Sequence, residues 1–285
     1  MAEWHDGTLE TNGVKLHYTR TGGDKPPIVL AHGLTDNGLA WTKLARTLEH
    51  YYDLIMVDAR GHGLSDKPEQ GYAPEDHMRD MAGLIQALGL ENPVIIGHSM
   101  GAITASLVAS EYPQLIRAAV LEDPVWRWPI SAAKGAADKQ LLYEGWKSRL
   151  AFRKSLSVEE SFIRGRRERP LWSGEDHDAD VPAKHQVAMQ ALDFIVEHES
   201  TWAEQVIKFK TPVLLVYGNT NLGGIVGPDI AAEARRLNPL VEPVQVPTAG
   251  HSIRREQFEE YLAVVREFLA RIQRIQPLTL EAVHS

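Results

Sequence analysis

A serine placed between two glycines is the residue of this chain best suited to nucleophilic chemistry. Ser99 is the centre of a Gly-x-Ser-x-Gly motif over residues 97–101, between the β-branched stretch 93–96 and a run of small residues typical of a helix. A sharp turn from strand to helix lifts the hydroxyl above the sheet edge and places it beside the free N–H groups of the helix N-terminus. The flanking glycines leave room for that crowded turn. The motif therefore predicts a serine nucleophile on a strand–turn–helix element.

A nucleophilic serine needs a base that takes its proton and a carboxylate that orients the base. His251 is the candidate base, because it lies in the Gly-His-Ser loop 250–252 after the last predicted strand. A flexible turn at that place can carry an imidazole over the carboxyl end of the sheet.

The carboxylate has more than one candidate. The strand after the helix that follows Ser99 ends in Glu122 and Asp123. Only one of them can serve, because neighbouring side chains on a strand face opposite ways. Asp123 stands at the end of the strand, in the turn before Pro124, and is the predicted acid. Glu122 remains an alternative, as does Asn221 in the loop after the next-to-last strand. Asparagine can orient an imidazole but cannot stabilise an imidazolium by charge.

Strand patterns alternate with helical patterns along most of the chain. This alternation predicts an α/β fold with a doubly wound, mostly parallel sheet, preceded by an antiparallel strand pair within residues 7–20. The predicted strands of the parallel part cover residues 27–31, 52–57, 93–96, 117–122, 212–218 and 241–246. In such sheets the active site lies at the carboxyl ends of the strands. Ser99, Asp123 and His251 all follow strands, so we expect them to meet at that edge.

The alternation stops between residues 124 and 210, which predicts a helical cap inserted into a core domain made of residues 1–123 and 211–285. The inserted segment holds five of the seven tryptophans and is predicted to form helices broken by prolines at 129, 170 and 182. Trp126 and Trp128 are candidates for substrate contact, with packing between cap helices as an equally weighted alternative. The basic run from Arg164 to Arg169 predicts a solvated helix face, and its alternative role is to grip a substrate carboxylate.

Composition and charge argue against several classes of protein. The 285 residues carry a net charge of −8, whereas proteins that bind nucleic acid need an excess of lysine and arginine. Without cysteine there are neither disulfides nor thiolate chemistry. No apolar run approaches the ~20 residues of a membrane span, and the N-terminus lacks a signal-peptide pattern. We expect a cytoplasmic protein with a small-molecule substrate and no membrane partner; the sequence does not indicate an oligomeric state.

The sequence contains no motif typical of a metal site or a cofactor site. The histidines in the inserted segment, at 177, 185 and 198, repeat no ligand spacing. No glycine-rich loop of the dinucleotide-binding type follows the first strand. The sequence therefore predicts a reaction that needs neither a metal nor a cofactor.

Four motifs spread over nearly the whole chain resemble those of α/β-hydrolase fold proteins in the esterase and lipase superfamily. They are His32-Gly33, the run DARGHGLSD at 58–66, the serine motif 97–101 and Gly250-His251. The resemblance implies an oxyanion hole made by the backbone N–H groups of Leu34 and Met100. It also implies that residues 124–210 form the cap.

The resemblance has one departure, at the catalytic acid. Members of the family usually carry it in the loop after the next-to-last strand, where this chain has Asn221. Members with a relocated acid, such as lactone-cleaving zearalenone hydrolases and cofactor-free dioxygenases, point to Asp123. His32 and His98 lie beside the predicted oxyanion loop and nucleophile and are candidates for the substrate pocket. The alternative for each is a packing role: His32 would shape the oxyanion loop, and His98 would support the turn at Ser99.

These residues together predict a cofactor-independent serine hydrolase. Its substrate is expected to be a small-to-medium apolar carboxylic ester, lactone or amide, cleaved through an acyl-enzyme on Ser99. Three alternatives remain open: hydrolysis of a carbon–carbon bond by the same residues, cofactor-free oxygen chemistry with a dyad of His251 and Asp123, and a ligand-binding protein with little turnover.

Overall fold

The computed structural model describes residues 4–126 and 136–274. Its centre is a sheet of eight strands. In chain order they are β1 His5–Thr11, β2 Val14–Arg20, β3 Pro27–Ala31, β4 Asp53–Val57, β5 Val94–His98, β6 Ala118–Glu122, β7 Val213–Tyr217 and β8 Val241–Gln245. The predicted strands lie within a few residues of these bounds.

The sheet is mostly parallel, as predicted. The spatial order of its strands is β1-β2-β4-β3-β5-β6-β7-β8, in which β1 and β2 pair antiparallel, as do β2 and β4, and every other pair is parallel. Ala31 pairs with Gly97, and Glu122 pairs with Val216. This register brings the carboxyl ends of the central strands to one edge of the sheet, which is where ligands bind in such folds.

Helices cover both faces of the sheet. They are α1 Thr42–Leu48, α2 Pro74–Ala87, α3 Met100–Glu111, α4 Ala136–Ser155, α5 Val158–Glu168, α6 Gly174–Gln186, α7 Phe194–Glu197, α8 Trp202–Lys208, α9 Pro228–Leu237, α10 Ile253–Glu256 and α11 Phe258–Arg274. One face packs its buried side chains against α2, α3 and α9, and the other packs against α1 and α11. Because both faces are covered, β3 to β7 are almost entirely apolar rather than alternating.

Among the described residues, five helices, α4 to α8, lie between β6 and β7 in the segment predicted as a cap. Trp128 and Pro129 fall outside the described residues. Pro182 does not break a helix as predicted, because it lies inside α6. A proline removes one backbone hydrogen bond, here to the carbonyl of Asp178, and that residue is exposed, so water can replace the lost donor.

Two buried histidines support the loop that follows β3. His32 pairs through Nδ1 with the carbonyl of Gly33 at 2.8 Å and accepts the N–H of Ala59 at 3.0 Å. His62 accepts the N–H of Thr35 at 3.2 Å and pairs through Nδ1 with the carbonyl of Arg60 at 2.8 Å. Each ring therefore uses one nitrogen as donor and the other as acceptor, as a neutral imidazole does. Burial lowers the pKa of both, that of His62 to about 3.

An ion pair under the sheet edge connects β6 to α10. Glu122 accepts the backbone N–H of Arg254 at 2.9 Å, and its other oxygen lies 3.1 Å from the guanidinium. Both side chains are buried, and the guanidinium lies over the ring of Trp41 at 4.0 Å. The pair therefore fixes the start of α10, and with it the preceding turn.

Stability should fall in acid because His62 is buried in its neutral form. The unfolded chain takes up a proton below the usual histidine pKa of 6.5, whereas folded His62 does so only near pH 3, so stability decreases as the pH drops between these values. At pH 5 the loss from this residue is about 2 kcal/mol relative to pH 7. Urea unfolding at both pH values should show a smaller difference in His62→Gln. The exposed His50→Gln is the matched control, and an unchanged pH dependence in His62→Gln would contradict the assignment.

Replacing Glu122 by alanine should destabilise the fold strongly. The change leaves the buried charge of Arg254 without its carboxylate, and breaking a buried pair in this way costs about 3–5 kcal/mol. The free energy of unfolding from urea titration measures the loss. The double variant Glu122→Ala/Arg254→Met removes both charges and should recover part of it. A loss below about 1 kcal/mol, the range of exposed pairs, would show that the pair contributes little.

Candidate active site

Ser99 lies on a strained turn between β5 and α3. Its backbone angles are φ 55° and ψ −115°, in a region that residues with a side chain rarely occupy. The two glycines of the motif make the turn possible by close approach: a Cβ on Gly97 would lie 2.1 Å from the carbonyl oxygen of Gly101, and one on Gly101 would lie 2.2 Å from that of Ala31. The predicted steric reason for the motif thus agrees with the contacts observed.

The structure brings Ser99, His251 and Asp123 into one hydrogen-bond chain. His251 Nε2 lies 3.0 Å from Ser99 Oγ, and His251 Nδ1 lies 2.6 Å from Asp123 Oδ2. With the carboxylate accepting from Nδ1–H, the Nε2 lone pair faces the serine hydroxyl, as a general base requires. Asp123 is fully buried, whereas the His251 side chain is about 30% exposed and can meet a ligand. The arrangement can move a proton from serine to histidine.

Asp123 receives further support from the loop after β7. Its Oδ2 accepts the backbone N–H of Ile225 at 2.9 Å, and its Oδ1 accepts that of Val226 at 3.0 Å. Burying a carboxylate is costly unless donors replace its water, and these two N–H groups and the His251 ring supply three. Asp123 also has φ 43°, so its backbone is held in the left-handed region.

The two alternative acids lie elsewhere. Asn221 is exposed, and its backbone N–H bonds to the side chain of Asn219 at 2.9 Å. Glu122 points to the other face of β6, where it pairs with Arg254. Burial raises the pKa of Glu122, and the Arg254 charge acts in the opposite direction. Of the three candidates, only Asp123 contacts His251.

Two side chains hold the turn that carries His251: Glu256, which the sequence does not predict, and His98, which the sequence places in the substrate pocket or in packing. Glu256 accepts the N–H of Gly250 at 2.5 Å and that of Ser252 at 3.3 Å. His98 Nε2 lies 3.0 Å from the carbonyl oxygen of His251 and donates to it. Burial lowers the pKa of His98 well below its usual range, so the ring is neutral. An acid a few residues after the histidine was the only available sequence signal for Glu256.

Leu34 and Met100 lie beside Ser99 on the wall of a cavity. Met100 is the first residue of α3, where backbone N–H groups have no partner within the helix. Neither the N–H of Leu34 nor that of Met100 donates to an acceptor within the described parts of the chain. The peptide that carries the Leu34 N–H has its carbonyl bonded to His32. Both groups are therefore available to an oxyanion near Ser99.

The cavity above Ser99 and His251 has a volume of about 320 Å³. One part of its wall is apolar, from Leu34, Val125, Leu150, Phe194, Ile195 and Ile225. Trp146 and Trp172 also line it. The remainder is strongly charged and includes arginines from α4, the segment before α6, and α10. The cavity wall is therefore partly charged, which differs from the apolar substrate expected from the sequence.

The predicted substrate contacts fall in different places. His98 lies on the cavity wall. His32 does not, because it is buried with both ring nitrogens bonded to the backbone. Trp126 does not either: it is fully buried and stacks on Trp202, with 5.5 Å between ring centroids. The predicted substrate contacts of His32 and Trp126 are therefore wrong, because both rings are buried away from the cavity. Trp128 lies outside the described residues.

The described residues contain neither a candidate metal site nor a membrane-spanning helix. Within residues 4–126 and 136–274, histidines and acids form no group of three that could hold a metal ion. In the same ranges, no helix combines the length and hydropathy needed to cross a membrane. The described histidines of the inserted segment lie apart from the hydrogen-bond chain at Ser99.

Comparison with known proteins identifies the family. The model of the alpha/beta hydrolase fold family matches residues 26–254. N-formylmaleamate deformylase of Pseudomonas putida is 29% identical over 272 residues, which cover 92% of this chain and 96% of that protein. A 2-(acetamidomethylene)succinate hydrolase of Mesorhizobium japonicum is 41% identical over 104 residues, 36% of this chain and 37% of that protein.

A solved structure agrees with these sequence matches. The crystal structure of N-formylmaleamic acid deformylase from Pseudomonas putida S16 superposes with a TM-score of 0.75 and 25% identity, covering 92% of this chain and 100% of that chain. The eight-stranded sheet, the strand–turn–helix at Ser99 and the match over most of the chain lead to one conclusion. This chain belongs to the α/β hydrolase fold family and is a hydrolase.

Proposed function

We propose that this hydrolase is a serine hydrolase that cleaves an ester or amide bond through an acyl-enzyme on Ser99. The observation that carries the proposal is the hydrogen-bond chain from Ser99 Oγ through His251 to the buried Asp123. Ser99 and His251 line a cavity that is large enough for a small substrate.

In the proposed reaction, Ser99 Oγ attacks the carbonyl carbon while His251 Nε2 takes the hydroxyl proton. Asp123 stabilises the imidazolium by charge, and the N–H groups of Leu34 and Met100 stabilise the tetrahedral oxyanion. His251 then gives its proton to the leaving oxygen or nitrogen, and the acyl group stays on Ser99. Water then enters, loses a proton to His251 and attacks the acyl carbon. The bond between that carbon and Ser99 Oγ breaks as His251 returns the proton to Oγ, so the acid is released and the serine hydroxyl is restored.

The relatives favour an amide over an ester. The name of the Pseudomonas putida relative, matched over nearly the whole of both chains, describes removal of a formyl group from a nitrogen. The shorter match is to a hydrolase whose named substrate carries an acetamido group. We therefore propose an N-acyl compound as the natural substrate, and activated esters as convenient probes of the same acyl-transfer chemistry.

Replacing Ser99 by alanine should abolish hydrolysis. In serine hydrolases, loss of the nucleophile lowers kcat by about a million-fold, so activity on 4-nitrophenyl acetate should reach background. A fluorophosphonate probe should label the unmodified protein at Ser99 and leave Ser99→Ala unlabelled, as mass spectrometry would show. If Ser99→Ala kept most of its activity, the dyad of His251 and Asp123 would be the working unit and the serine mechanism would be wrong.

Replacing Asp123 by asparagine should lower kcat by about ten-thousand-fold, because an amide cannot stabilise the imidazolium by charge. Asn221→Ala is the matched control, since it alters the exposed position where the family usually has its acid, and it should leave kcat within about twofold. Circular dichroism should show that both variants are folded. Full activity in Asp123→Asn would show that another group orients His251.

A further inference from the structure

The charge of the cavity wall differs from that of the whole protein. The chain has a net charge of −8. Yet among the described residues five cationic side chains line the cavity, against the two carboxylates Asp36 and Asp180; the cations are Arg149, Arg153, Arg169, Lys184 and Arg255. An acidic protein that gathers cations around its candidate active site favours an anionic ligand.

Three of these cations are already neutralised. Lys184 Nζ lies 2.6 Å from Asp180 and 3.3 Å from Asp36, and Arg169 lies 3.2 Å from Asp180. Arg255 lies 3.3 Å from Asp36, and 3.7 Å from Asp176, which stands behind it.

These three cations and three carboxylates, which we call the ion cluster, sum to zero. Burial alone would raise the pKa of Asp36, but Arg255 and Lys184 hold it well below its usual value. Its carboxylate is therefore charged, and the ion cluster has no excess charge for a ligand.

The other two cations lie on one face of α4. Trp146, Arg149, Leu150 and Arg153 all line the cavity, and their spacing of three and four residues places them on a single stripe of the helix. Arg153 forms an ion pair with Glu168, a carboxylate that also accepts Arg164 at 2.7 Å. Arg149 is exposed and has no carboxylate partner among residues 4–126 and 136–274; its guanidinium lies 5.2 Å from the ring of Trp146. Arg149 is thus the lining cation that no carboxylate of the described residues neutralises.

We propose that the substrate carries a carboxylate, which the guanidinium of Arg149 binds with support from Arg153 while the scissile carbonyl rests on Ser99. A guanidinium presents two parallel N–H donors that match the two oxygens of a carboxylate. Two like charges four residues apart on a helix repel, and a bound anion relieves that repulsion. A single unpaired cation matches a monoanionic group better than a doubly charged phosphate. The proposal rests on the proposed function and names its substrate class.

The experiment compares substrates that differ only in this charge. The probes are the mono-4-nitrophenyl esters of succinic, glutaric and adipic acid. Each is compared with the corresponding compound in which the free carboxylic acid is converted to a methyl ester. After subtraction of the uncatalysed rate, the unmodified protein should prefer the acid form of at least one length. Arg149→Ala should remove that preference, because it should lower kcat/KM about tenfold or more for the acid forms and much less for the methyl esters. Arg149→Lys should keep part of the preference, and added salt should reduce it.

Lys147→Ala is the matched control. Lys147 is an exposed cation on the same helix, two residues away, and it does not line the cavity. It should keep the preference of the unmodified protein, which separates binding by Arg149 from a general loss of positive charge. Equal kcat/KM for both members of every pair, or an equal loss for both members in Arg149→Ala, would overturn the proposal.

Failure of the proposed function gives a different pattern. If the unmodified protein hydrolyses none of these esters, the serine-hydrolase proposal fails, and binding still decides the carboxylate proposal. Calorimetry with Ser99→Ala should then show binding of the acid forms and not of the methyl esters. The same titration of Ser99→Ala/Arg149→Ala should show binding weakened by about tenfold or more. Binding that does not distinguish acid from methyl ester would overturn it.

Discussion

The buried carboxylate of Asp123 is the group on which the rest of the site depends. It accepts hydrogen bonds from the loop after β7, through Ile225 and Val226, and from His251 in the turn after β8. A carboxylate removed from water is tolerated only with such donors around it. Because these segments lie about a hundred residues or more along the chain from Asp123, they meet only when the sheet has formed. The site and the fold are therefore stabilised by the same contacts.

The strain at the site is held by the sheet itself. Ser99 and Asp123 both have positive φ, a conformation that costs each about 1–3 kcal/mol. Yet the backbone hydrogen bonds of the sheet continue through both residues: Ser99 donates to the carbonyl of Glu122 at 3.0 Å, and Asp123 donates to that of Val216 at 2.9 Å. On the far side of β6, Glu122 fixes Arg254 and α10. The two neighbouring acids therefore have different partners: Asp123 bonds to His251 at the site, and Glu122 pairs with Arg254 on the other side of the strand.

Reacting groups and cavity wall come from different parts of the chain. The groups of the proposed mechanism follow the strands of the sheet, whereas most of the charged wall comes from α4, α6 and the segment between α5 and α6. The two parts are joined at the loop after β3, where Lys184 of α6 donates to the carbonyl of Thr35 at 2.9 Å. The same loop carries Leu34. Lys184 thus connects the inserted segment to the loop that carries one of the two proposed oxyanion donors.

Local patterns in the sequence predict the strands of the sheet, most of its helices, and Ser99 and His251 at its edge, with Asp123 as one of three candidate acids. Apolar strand runs, the glycines around Ser99 and the loop of His251 each carry their signal within a few residues. Tertiary structure alone decided three other features: that Trp126 stacks in the core, that backbone N–H groups of Ile225 and Val226 hold Asp123, and that Arg149 has no carboxylate partner among the described residues. A backbone N–H looks the same in every sequence, and whether an arginine is paired depends on carboxylates far along the chain. Such properties arise from contacts between distant segments, so no local pattern encodes them.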